Sequence, residues 1–299
     1  MSFLDEINAA VPIACSMPRV RFEIGLGAGP ENWLKKKHAD GAVHEPATIA
    51  AFIAIQKRFA CRTIFDVGAL WGYFSLLCAA LFDDAEITAF EMHGGAIPAL
   101  QKNVAPVVKC VNAVVSDRVA AKVPIWINGF NIFEEPEGGW ANLAQVPGAM
   151  KPRGLDNRGR SFCKVDFITL DAYCRDNAPP DLIKIDVEGY QAKAVCGARE
   201  TLMRHKPIVI IELHDPEKIA RFNTTNKATV QPLFDLGYQA YWCPNFRSPE
   251  ARYERITEMG EAQEKLCIMV FVSGEPERKP GDSMAKFRDD VMKEYGWES

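Results

Sequence analysis

Short runs of β-branched and aromatic residues alternate with longer stretches of helical periodicity along most of the chain. The first apolar run is 63–67; a glycine-containing turn follows, and 73–82, apolar on nearly every side, predicts a buried helix. Residues 86–90 repeat the strand pattern and end on Glu91, with a helix expected over 96–104, where Pro98 falls in the tolerated first turn. Residues 107–115 read as a third strand. The alternation resumes with a strand at 182–185, one helix over 190–205 closed by Pro207, and a buried strand at 208–213. Strands at 238–242 and 266–272 complete the set, and 283–295 reads as a charged amphipathic surface helix. Strand, crossover helix, strand is the mark of a parallel sheet, so the expected class is α/β: a mostly parallel, doubly wound, Rossmann-like sheet with helices on both faces.

Two stretches break the alternation. Residues 128–160 carry glycines at 129, 138, 139, 148, 154 and 159 and prolines at 136, 147 and 152, and a loop of that length inside a compact domain is either a functional element or disordered. Residues 1–45 are the other. The expected organisation is an N-terminal extension (1–45), a domain over 46–275 with an inserted loop at 128–160, and a helical tail (276–299). Both irregular stretches can be read as walls of an acceptor pocket or as decoration. Trp126, Phe130, Phe133 and Trp140 around the insert suit stacking on a planar acceptor or plain anchoring of the loop.

Composition narrows the class. With 299 residues, 48% of them hydrophobic and 25% charged, the chain can bury a core without a disulfide or metal staple. The balance of 35 basic and 39 acidic residues, net −4, argues against a nucleic-acid binder, which would carry a basic face. Lys35-Lys36-Lys37-His38 is the densest basic run, read as a solvated face or as an attractor of an anionic acceptor. Apolar runs fall far short of the roughly 20 residues that span a bilayer. Asp5 and Glu6 near the start do not fit a secretory signal. Nine scattered cysteines with no Cys-x-x-Cys pair read as reduced, and a cytoplasmic location is expected.

The candidate chemistry sits where strands end. In Phe65-Asp66-Val67-Gly68-Ala69-Leu70-Trp71-Gly72, Gly68 and Gly72 allow a sharp turn and leave room for a ligand against the main chain. Leu70 departs from the dinucleotide pattern Gly-x-Gly-x-x-Gly, which disfavours an NAD-dependent oxidoreductase, and Asp66 would welcome a cationic amine. Glu91, at the end of the next strand, is placed for the two hydroxyls of a ribose. Ser116 and Asp117 end the third strand, where they would face an adenine amine or simply form a turn. Together these point to S-adenosylmethionine, with Asp66, Gly68, Gly72, Glu91, Ser116, Asp117 and Asp186 as candidate cofactor-binding residues. Further on, Ile183-Lys184-Ile185-Asp186-Val187-Glu188-Gly189 and Ile211-Glu212-Leu213-His214 bring Asp186, Glu188, Glu212 and His214 to one rim.

With the 65–69 turn, the 183–189 motif, Gly197-Ala198-Arg199, Pro207, Leu170-Asp171 and the 211–214 run, the chain resembles the FkbM-type family of S-adenosylmethionine-dependent methyltransferases over about residues 60–120 and 165–275. The resemblance implies a class I methyltransferase fold and methyl transfer to an acceptor hydroxyl, of sugar or polyketide type. Trp71 and Gln191 depart from the family pattern, Gln191 standing where a glutamate is common. The candidate catalytic residues are Asp186, Glu188 and His214. His214 is read either as a general base or as a satisfied structural group, and either carboxylate could take the proton. A divalent cation on Asp186 and Glu188 is the less favoured alternative, and no metal is expected. The rival reading is a non-catalytic binding or scaffold protein that keeps the fold.

Overall fold

The computed structural model describes residues 1–16, 44–104, 106–128, 131–134 and 161–274. The Lys35–His38 run, most of the 128–160 insert and the expected helix at 283–295 lie outside the described residues. In chain order the strands are β1 (Thr63–Val67), β2 (Glu86–Glu91), β3 (Val108–Val115), β4 (Ala120–Asn128), β5 (Asn131–Glu134), β6 (Ser161–Ile168), β7 (Leu182–Ile185), β8 (Ile208–Leu213), β9 (Gln239–Cys243), β10 (Glu254–Ile256) and β11 (Cys267–Val272). They form one sheet in the order β10-β9-β11-β8-β7-β1-β2-β3-β6-β4-β5. The six strands from β8 through β6 run parallel, β11 is antiparallel to both its neighbours, and β10, β4 and β5 pair antiparallel at the margins.

Both faces of this sheet are buried, which is why its strands read as near-continuous apolar runs. Side chains still alternate. Ile64, Leu182, Ile208 and Ile210 join one core with the helices Phe3–Cys15, Pro46–Arg58 and Tyr73–Leu81. Phe65, Val67, Ile183, Ile185, Val209 and Ile211 join the other, under the helices Gln191–Cys196, Arg199–His205 and Asn226–Asp235. The helix Phe3–Cys15 opens with a reciprocal cap: Ser2 Oγ accepts from the Asp5 N–H at 3.2 Å, and Asp5 Oδ2 accepts from the Ser2 N–H at 3.0 Å. It packs on the helix Pro46–Arg58, with Arg58 paired to Glu6 and Phe3 edge-on to Tyr241 at 5.1 Å.

Two expectations need correction. The single helix expected over 190–205 is two, because Asp171 accepts hydrogen bonds from the Glu200 and Thr201 N–H groups (3.0 and 2.8 Å) and starts a new helix there. At the break, a Cβ on Gly197 would lie 1.8 Å from the Ser116 carbonyl oxygen, so the chain touches the end of β3 where only glycine fits. The second correction is β5, a strand inside the 128–160 stretch expected as a loop; it pairs with β4, and β4 and β6 flank the insert as an antiparallel pair beside β3. Pro124 and the left-handed Lys122 (φ 53°) disguise β4 as loop.

All nine cysteines are free thiols. Among the described residues, no helix is long and apolar enough to cross a membrane.

Candidate active site

The order of strands reverses direction at β1, with β2 and β3 on one side and β7 and β8 on the other. Open α/β sheets leave a crevice at such a point, beyond the carboxyl ends of the strands. A cleft of about 1000 Å³, counting its open mouth, occupies this place. Gly68 and Leu70 line it after β1, Glu91 at the end of β2 with Met92 and His93 just beyond it, and Ala113, Val114 and Val115 at the end of β3. Asp186, Val187, Glu188 and Tyr190 follow from β7, Glu212 from β8, and Glu45 and Arg247 from neighbouring loops.

The two glycines of the first turn answer to packing. Gly68 has φ +85°, and a Cβ there would fall 1.8 Å from the Asp186 carbonyl oxygen, so the turn lies directly on the end of β7. Gly72 has φ +91°, and a Cβ there would meet Val104 and Leu100 at 2.5 and 2.9 Å. Gly68 lines the cleft; Gly72 faces the helix Ile97–Val104 instead.

Glu91 is 5% exposed. Its carboxylate accepts from the Leu70 N–H at 2.8 Å and the His93 N–H at 2.7 Å, which ties both turns to one side chain at the cleft wall. Burial pushes its pKa up to about 7, against the pull of those N–H donors. Asp66 does not line the cleft. It shares strand parity with Ile64, so its side chain turns into the helix layer, where Oδ2 accepts from Ser75 Oγ at 2.6 Å and Oδ1 lies 3.8 Å from Lys184 Nζ. Asp66 and Lys184 are register partners across β1 and β7. Burial holds the Asp66 pKa up, opposed by Lys184 and Ser75. Ser116 and Asp117 also sit behind the wall: Ser116 Oγ is 3.1 Å from the Tyr190 hydroxyl, and Asp117 accepts from Lys193 Nζ at 2.7 Å. Apolar residues line the cleft at that point, in place of the polar pair expected from the sequence.

Asp186, Glu188, Glu212 and His214 converge. His214 Nε2 lies 3.2 Å from Glu188 Oε2, 3.6 Å from Glu212 Oε1 and 4.0 Å from Asp186 Oδ1. Cations interleave with the acids: Lys184 is 3.5 Å from Asp186, Lys218 pairs with Glu188, and Arg247 reaches Glu212 at 2.9 Å and Glu45 at 3.3 Å. Burial pushes the Asp186 pKa up, but the cations Lys184 and Arg247 outweigh it and hold the carboxyl below its usual range. Glu212, buried and facing Asp186 and Glu45, is pushed well above the usual range. Burial lowers Lys218 to about 8 and also lowers His214. The ligand-capable atoms of Asp186, Glu212 and His214 lie within 4.8 Å of one another, the one such group among the described residues.

Glu45 and Arg247 were invisible to sequence reading. Neither lies in a strand-end motif, and they meet across 202 positions of chain. Tyr190, Met92 and Ile132 were missed as cleft walls because an apolar lining looks like core in one dimension. Trp71, a departure from the family pattern, is buried against Ala96 and Ala99 and does not line the cleft.

A family model described as the methyltransferase FkbM domain matches residues 66–240. No curated protein matches the chain. Among solved structures, the chain is similar to the FkbM methyltransferase from Methylobacillus flagellatus KT, at 14% identity and a TM-score of 0.40, over 72% of this chain. It spans 44% of the length of that protein. It is also similar to an O-methyltransferase from Bacillus cereus solved with SAH (14% identity, TM-score 0.36, 91% of this chain and 90% of that one). A third is a precorrin-6y C5,15-methyltransferase from Geobacter metallireducens GS-15 (14%, TM-score 0.39, 76% and 87%).

Proposed function

The chain belongs to the FkbM methyltransferase family, and from that premise we propose that it is an S-adenosylmethionine-dependent O-methyltransferase whose acceptor is a hydroxyl of a small molecule or glycan. One observation carries the reading: a single cleft joins the Gly68 turn and Glu91 to the rim of Asp186, Glu188 and Glu212.

The residues present fit the cofactor. Glu91 offers a carboxylate fixed at the wall by two main-chain donors, suited to a ribose diol. Val114, Val115, Met92 and Ile132 offer an apolar slot for a purine. The excess of carboxylates toward Asp186 suits a cationic sulfonium and amine. When bound, S-adenosylmethionine supplies an electrophilic methyl group. Gly68, Glu91 and Asp186 are the direct contacts in this proposal. Asp66, Gly72, Ser116 and Asp117 hold the wall from behind. Positioning dominates such an in-line displacement, and the rim supplies Asp186 and Glu188 as acceptors for the proton of a hydroxyl.

Calorimetric titration with S-adenosylmethionine, S-adenosylhomocysteine and NAD tests the proposal. The first two should bind and NAD should not, and Glu91→Ala should weaken binding at least about tenfold, the loss of one or more charge-assisted hydrogen bonds. A folded protein that binds neither, or a Glu91→Ala protein that binds as wild type does, overturns it.

A further inference from the structure

His214, the one histidine among the acids of the rim, has its protons set by a neighbour outside the cleft. Gln191 opens the helix Gln191–Cys196 and is fully buried. Its amide nitrogen lies 2.6 Å from the Glu212 carbonyl oxygen and 2.5 Å from His214 Nδ1. A carbonyl oxygen only accepts, so an amide nitrogen must face it; turning the amide over would set two bare oxygens against each other. The same NH₂ group has a second hydrogen, and Nδ1 of His214 receives it as an acceptor.

We propose that Gln191 fixes His214 as the neutral tautomer protonated on Nε2, so that His214 presents an N–H, and not a lone pair, on the side of Glu188, the nearest carboxylate of the rim. It is then neither the general base nor a metal ligand. Nδ1 is spent on Gln191, and Nε2 lies 3.2 Å from Glu188 Oε2, 3.6 Å from Glu212 Oε1 and 4.0 Å from Asp186 Oδ1. A metal ion bound through Nε2 would need that proton gone and the other tautomer in place. The imidazolium is disfavoured as well, since a proton on Nδ1 would meet the hydrogens of the Gln191 amide. Asp186, Glu212 and His214 have the spacing of a cation site, but in this tautomer the Nε2 side of His214 offers a proton where a cation would need a lone pair. Gln191 is thus a positioning residue, acting on the carboxylates through His214. The proton acceptor of the rim is a carboxylate.

The role in turnover rests on the transferase reading above; the protonation does not, and can be measured without any acceptor. Long-range ¹H–¹⁵N correlation spectra of histidine-labelled protein, with His214 assigned by its absence in His214→Asn, report each ring nitrogen. The expected wild-type spectrum at neutral pH has a pyridine-type Nδ1 and a pyrrole-type Nε2, unmoved by magnesium or zinc ions. Gln191→Glu should move the proton to Nδ1, and Gln191→Met should give a mixture of tautomers. A pyrrole-type Nδ1 in the wild type, or a His214 Nε2 signal that shifts on adding either ion, overturns the proposal. An unchanged tautomer in a folded Gln191→Met protein would show that Gln191 merely packs. Failure to bind S-adenosylmethionine would overturn the functional reading and leave this result standing.

Discussion

The two ends of the cleft are built on opposite principles. At the β1–β2 end, one carboxylate, Glu91, is held by main-chain donors, and the turn above it rests on backbone contact through Gly68. At the β7–β8 end, four carboxylates share three cations and two histidines, His44 and His214, through ion pairs between side chains. The first end is rigid because backbone cannot give way. The second is a balance of charges, adjustable by pH or by a ligand.

If that contrast holds, the largest effect belongs to Gly68→Ala. Its Cβ would strike a main-chain oxygen, so a cost of about 4 kcal/mol or failure to fold is expected. Gly237→Ala, at φ +80° with nothing within 4 Å, should cost only the about 1–2 kcal/mol of a left-handed residue. Equal unfolding midpoints for the two variants would break the contrast.

Arg247→Leu comes next. It strips the cation from buried Glu45 and Glu212, and a loss of about 3 kcal/mol is expected at pH 8. The loss should shrink toward pH 5.5, because a protonated carboxyl needs no cation. Urea titrations at the two pH values check this, and a loss independent of pH would mean that Arg247 acts through packing alone.

The smallest effect sharpens the other end. In the folded protein Glu91 keeps its proton up to about pH 7, but the unfolded chain releases it at the ordinary glutamate value. Wild-type stability should therefore fall as pH rises between those two points. Glu91→Gln cannot titrate, so between pH 5 and pH 8 its stability relative to wild type should rise by about 2–3 kcal/mol. Parallel stability curves without cofactor would mean that Glu91 is ionised throughout.

Much of the frame was legible because buried parallel strands announce themselves: β1, β2, β3, β7 and β8 were all found within about two residues of their bounds. Asp186, Glu188, Glu212 and His214 were legible as one rim because strand ends in such a sheet share an edge. Asp66 lies outside the cleft although its parity with Ile64 was there to be counted: one residue before the end of β1, its side chain turns into the helix layer. Ser116 also lies outside the cleft, with its hydroxyl on the Tyr190 hydroxyl and its carbonyl against Gly197. Glu45, Arg247 and the Gln191–His214 contact depend on loops meeting over long separations, and no local pattern encodes such a meeting. β4 was missed because a proline and a left-handed lysine interrupt the periodicity that marks a strand.

The sheet's margin at β10 has a consequence for how the molecule behaves in a crowd. An eleven-stranded sheet that ended on a long, flat, apolar strand would offer a template for pairing with a second chain. Here the last strand is three residues, and it carries the exposed charges Glu254 and Arg255. A visiting strand would find at most a few backbone partners and would have to bury two charges to use them, so at this margin the sheet resists growing by addition of a further molecule.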